Sequence, residues 1–186
     1  MSIEIMKKGL LAAVAGCSLF AAASASAVTF DPATPNNPYT FAGETRLVTP
    51  LGTYVCDLEL TGNVSDAPTS DPNAGTVMVT GGNVSGDFPC GLINLQNLPW
   101  GSTGNATVTS GGATVNLDNI GAQDSLGGML LDCSGDITVP FINDTTASRF
   151  DLDGQGFGGC TFTRASGSPD QNLLFADPSN NIQVFP

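Results

Sequence analysis

Thr53-Tyr-Val-Cys-Asp-Leu-Glu-Leu-Thr-Gly-Asn-Val64 is the stretch on which the fold reading turns. Tyr54, Cys56, Leu58 and Leu60 alternate with Val55, Asp57, Glu59 and Thr61, which is the two-residue period of a half-buried strand. Cys56 then points inward with the apolar set. No window of the chain carries a helix-period apolar face of useful length, so the remaining segments are read as sheet. Thr76–Thr80 is the next strand, across a loop at Asp66–Gly75 rich in Pro, Asp, Ser and Asn. Ala106–Val108 and Ala113–Leu117 flank Ser110-Gly111-Gly112, a hairpin signal. Met129–Phe141 reads as two strands about a Ser134-Gly135-Asp136 turn. Arg149–Leu152, Cys160–Phe162, Leu173–Phe175 and Ile182–Phe185 complete the set, with a glycine-rich segment at Gly154–Gly159. Gly-Asn-Val-Ser occurs at 62–65 and at 82–85, and shared turn chemistry accounts for the repetition. The expectation is an all-β fold: one disulfide-stapled sandwich or barrel-like domain of short antiparallel strands.

Outward from this core, the N-terminus reads as an export signal occupying residues 1–27. Lys7 and Lys8 precede an apolar run, Gly9–Ala23, and Ala25-Ser26-Ala27 supplies the small residues of a cleavage site. The run is too short to span a membrane, so no transmembrane segment is expected. Val14-Ala15-Gly16-Cys17 also fits a lipobox, which would make Cys17 a lipidated N-terminus of an outer-membrane lipoprotein; the apolar Leu19–Ala23 that follows disfavours it. Residues 28–52 read as a proline-rich arm and first strand, and 53–186 as the β-domain. Pro32, Pro35 and Pro38 preclude a regular ladder in the arm, which is expected to be extended and at most an outer strand. Its sharper reading is an arm that docks on a neighbouring molecule's sheet edge.

Charge narrows the partners. The full chain has five basic and seventeen acidic residues, a formal net charge of -12, and no histidine. Beyond residue 27 only Arg46, Arg149 and Arg164 are basic. Such a surface repels itself and disfavours nucleic acid and anionic membranes.

Cys56, Cys90, Cys133 and Cys160 form an even set in an exported chain and read as two disulfides. Four cysteines allow three connectivities; pairing Cys56 with Cys90 and Cys133 with Cys160 closes the shortest loops, each worth about 3 kcal/mol. Between them lies Gly86–Gly101, with the lone tryptophan of the chain in Asn97-Leu98-Pro99-Trp100. Pro99 sets a bend, and Trp100 is expected to cover the core beside Cys90 rather than contact a ligand.

Catalytic parts are scarce. Without histidine the usual base of Ser/His and Cys/His chemistry is missing, and beyond residue 27 there is no lysine to replace it. Asp57/Glu59 and Asp151/Asp153 are spaced as acids sharing a strand face. Asp151-Leu-Asp153-Gly-Gln155-Gly matches the start of a calcium loop, but Phe162 stands where the closing carboxylate belongs. No enzyme activity, cofactor or metal is expected.

The marks in order are Val55-Cys56-Asp-Leu-Glu-Leu-Thr-Gly62, Gly86-Asp-Phe-Pro-Cys90-Gly running into Asn97-Leu-Pro-Trp100, Leu131-Asp-Cys133-Ser-Gly before Ile137-Thr-Val139, and Cys160 after Thr145–Phe150. In these the chain resembles the Pra-type activators of alkane oxidation, small exported bacterial proteins. The resemblance implies a non-enzymatic extracellular protein that assists growth on hydrocarbon. As partners it implies an oil–water interface or hydrophobic substrate, or self-association into biofilm-matrix fibres. An adhesin or a carbohydrate- or lipid-binding module is the alternative.

Overall fold

The computed structural model describes residues 28–32, 37–66 and 75–185. Residues 1–27, expected to be an export signal and including Cys17, lie outside the described residues, as do the middle of the arm and most of the Asp66–Gly75 loop. Within them the fold is an antiparallel β-sheet that curls into a nearly closed barrel. Its strands are β1 (Thr29–Asp31), β2 (Tyr39–Thr49), β3 (Gly52–Ser65), β4 (Thr76–Ser85), β5 (Ile93–Gln96), β6 (Ala106–Thr109), β7 (Gly112–Asp124), β8 (Asp132–Ile142), β9 (Arg149–Asp151), β10 (Gly156–Phe157), β11 (Cys160–Phe162), β12 (Leu173–Ala176) and β13 (Gln183–Phe185). The only helical turns among the described residues are single 3-10 turns at Cys90–Leu92 and Pro178–Asn180.

Hydrogen-bonded neighbours run β4–β3–β2–β12–β9–β8–β7–β5, with β6 alongside β5 on the edge of β7 and β11 alongside β12 on the edge of β2. Alternation drives this arrangement. Leu58, Leu60 and Val64 of β3 and Val115, Leu117 and Ala122 of β7 all bury their side chains in one shared core, and Cys56 is buried in its disulfide with Cys90.

Three sequence expectations are corrected. Tyr39–Thr49 is no outer strand: it pairs β3 along its whole length and β12 and β11 on its other edge, because the prolines that interrupt the arm stop at Pro38. Met129–Phe141 is not two strands about a turn. β8 runs unbroken through Ser134-Gly135-Asp136, and the irregularity sits on its partner, where the β7 register shifts between Leu117 and Ile120. Asp136 is polar because its carboxylate accepts the Asn119 N–H of that bulge at 2.7 Å. The two Gly-Asn-Val-Ser copies are not turns but the C-terminal ends of β3 and β4, at opposite ends of one hairpin.

The arm docks on its own chain. β1 pairs β13, the Phe30 N–H donates to Asp66 at 2.7 Å, and Val28 and Phe30 are buried. Beneath them Phe41, Phe141 and Phe150 meet edge-on, with centroids 4.8 to 6.0 Å apart. This end of the barrel is plugged.

Candidate functional site

Gly86–Gly101 closes the barrel. Backbone N–H and C=O of Trp100 exchange hydrogen bonds with Val79 of β4 at 2.9 and 3.0 Å, an isolated bridge across the gap between β4 and β5. Below it, the Asn105 side chain stands in for a strand: it accepts from Val77 N at 2.8 Å and donates to Val77 O at 2.7 Å and Asn116 O at 2.8 Å. Gly101 takes φ +103, and a Cβ there would press to 2.5 Å from Val77 O, so the tight stitch requires glycine. Trp100 is buried and its Nε1 donates to Gln96 O at 2.7 Å. Leu98 is half-buried against the core, and Pro99 is exposed. Trp100 thus serves the core and lines an interior cavity.

Above the bridge, Thr80–Ser85 of β4 passes Ile93–Gln96 of β5 without a ladder, leaving an unpaired seam. Behind the seam is an apolar cavity of about 60 Å³ walled by Leu58, Leu60, Leu95, Trp100, Ile120 and Ile137 among others. Its counterpart beneath the β1 plug measures about 20 Å³.

The seam opens toward one rim of the barrel, and that rim holds both disulfides, Cys56–Cys90 and Cys133–Cys160. Three segments meet there. The β2–β3 turn carries Leu51, 65% exposed; the loop after β4 carries Phe88, 81% exposed; the β7–β8 loop carries Leu126 and Met129, 52% and 72% exposed. They are tied together by the Cys56–Cys90 bond, by Ser125 N donating to Leu92 O at 2.8 Å, and by Tyr54 Oη donating to Leu130 O at 3.2 Å. Asp124 holds the last loop in shape, accepting from the backbone N–H of Leu126, Leu130 and Leu131, each at 2.7 Å. Burial pushes its carboxyl up, but those donors and the Gly128 N–H outweigh burial and hold it below the usual carboxylate range.

None of these four apolar side chains is legible as a site from the chain alone. Their one signal is that large apolar residues stand inside turn chemistry, as in Pro50-Leu51-Gly52 and Leu126-Gly-Gly-Met129, where no alternation calls for them. The acidic turn at Asp151–Gly156 has a different use. Asp151 pairs with Arg164 at 3.1 Å, and Asp153 accepts from Arg164 N at 2.6 Å. Asp57 and Glu59 lie exposed on the outer face of β3.

A family model described as alkane oxidation protein activator PraA/PraB-like matches residues 3–175. No curated protein and no solved structure matches the chain. The chain belongs to the PraA/PraB-like family of alkane oxidation protein activators.

Proposed function

We propose that this family member is a non-enzymatic, exported, surface-active accessory of hydrocarbon assimilation, which settles on the oil–water interface by its disulfide-bearing rim. The observation that carries the reading is the grouping of Leu51, Phe88, Leu126 and Met129 on three tied loops at one end of an otherwise acidic molecule. Moving such a side chain from water into an apolar phase is worth roughly 1.5–3 kcal/mol, so four acting together hold a rigid domain at an oil surface. The carboxylates around the rest of the body stay in water and keep coated droplets apart. A Phe88→Ser/Met129→Ser double variant tests this. With its fold intact by circular dichroism, it should emulsify n-hexadecane at least tenfold less well per mole; undiminished emulsification by the folded variant would refute the reading.

One observation favours a second role as fibre subunit. β1 holds to β13 through only three residue pairs, yet it buries Val28 and Phe30, so a neighbouring molecule's arm offers the same contacts by strand addition. Negative-stain microscopy of the purified protein, with Phe30→Ser as control, separates fibres from discrete particles.

A further inference from the structure

We infer that the interior cavity takes the terminal carbons of a straight-chain alkane, which enters through the unpaired seam between β4 and β5. This deepens the interfacial reading and rests on it for the choice of ligand.

Access comes from the topology. The Val79–Trp100 bridge is the last hydrogen-bonded tie between β4 and the strand beyond it; from Thr80 onward neither strand bonds the other. Where the seam crosses the cavity, Val84, Ile93 and Leu95 are half-buried, whereas Leu58, Leu60, Ile120 and Ile137 deeper in are buried. The half-buried part of the cavity wall therefore lies along this line, where Leu95 packs on Gly82 of β4, on the side of the barrel that ends in the apolar rim.

Chemistry selects the ligand. Three lining side chains carry polar hydrogens, and each is already given to a backbone carbonyl: Thr45 Oγ1 to Cys56 O at 3.1 Å, Tyr54 Oη to Leu130 O at 3.2 Å and Trp100 Nε1 to Gln96 O at 2.7 Å. A ligand carboxylate would find no free side-chain donor, and it would be desolvated without compensation. The chain's acidic surface adds a further bias against fatty-acid carboxylates. An unfunctionalised hydrocarbon loses nothing on entering.

Size limits how much enters. A dry cavity of about 150 Å³ admits the six carbons of benzene, so one of about 60 Å³ has room for roughly two or three chain carbons. Each buried methylene strengthens binding about fourfold, so the hold is weak and reversible. Such a site lets go of a chain end as readily as it takes one.

The probe is n-pentane, added to the intact domain with its Ile, Leu and Val methyl groups labelled for NMR. Concentration-dependent shifts confined to Leu58, Leu95, Ile120 and Ile137 are expected, with pentanoate producing none at equal concentration. Val84→Phe, which fills the mouth, should weaken pentane binding at least tenfold. Should that variant fail to fold, pressurised xenon on the unaltered protein must shift the same methyls. Absence of shifts at these methyls, shifts centred on Val115 and Val184, or an equal response to pentanoate would overturn the assignment. The Phe88→Ser/Met129→Ser variant separates the two claims: it should keep the pentane shifts while losing emulsification, and normal emulsification with absent pentane shifts sinks the cavity alone.

Discussion

The two ends of the barrel are closed by different means. At the plugged end the work is done by packing: β1 and β13 lie over the Phe41, Phe141 and Phe150 trio, and side-chain amides finish the seams. Asn143 accepts from Val184 N at 2.9 Å and donates to Val184 O at 2.6 Å, and Asn37 does the same for Val64 at 2.8 and 3.0 Å. At the rim, covalent bonds and Asp124 hold the loops instead. The contrast shows what the disulfides permit. Loops fixed by sulfur do not have to bury their apolar residues to stay ordered, so Leu51, Phe88, Leu126 and Met129 remain available to an outside apolar phase.

That contrast can be tested by damaging each end in turn. Phe150→Ala should cost about 3–5 kcal/mol in urea unfolding, because it opens a void in the aromatic trio. A Cys56→Ser/Cys90→Ser variant should lose about 4 kcal/mol, since the bond closes a loop with a separation of 34 residues. Its amide exchange should quicken around Phe88 more than around Phe30; faster exchange at Phe30 would reverse the assignment of roles.

Acid should act on the rim with a smaller effect. The Asp124 pKa is lowered in the folded state, so the unfolded chain takes up the proton first as pH falls. The stability Asp124 contributes is therefore complete above about pH 4 and is lost as pH drops through its depressed folded value. Asp124→Asn should remove that share of the acid sensitivity, as read by melts between neutral pH and the acid limb. An unchanged acid profile would show that the carboxylate does not anchor the loop.

Much of the fold is legible in the chain because alternation survives where one sheet face meets the core. Tyr54–Leu60 and the Ser110-Gly111-Gly112 hairpin are cases in point. Reading fails where a local signal has a distant cause. Ser134-Gly135-Asp136 looks like a turn until the β7 bulge opposite it is seen, and the proline arm conceals the fact that β2 lies inside the sheet. The site is less legible still. Trp100 draws attention as the lone tryptophan and does lie at the closing bridge, but Phe88, twelve positions earlier, is the side chain left exposed. Leu51, Phe88 and Met129 come from three separate turns, and only the closed barrel brings those turns together.

The most direct test compares one aromatic at each end. Phe88 at the rim is 81% exposed, so serine there should change stability by no more than about 0.5 kcal/mol, whereas Phe185 beside the plug is 40% exposed and serine there should cost about 1–2 kcal/mol while leaving the domain folded. Interfacial tension of a pendant n-hexadecane drop reads adsorption for both. Phe88→Ser should require about tenfold more protein for the same drop in tension, and Phe185→Ser should match the unaltered chain. Equal losses in the two variants, or a larger loss from Phe185→Ser, would contradict a rim-first approach to oil.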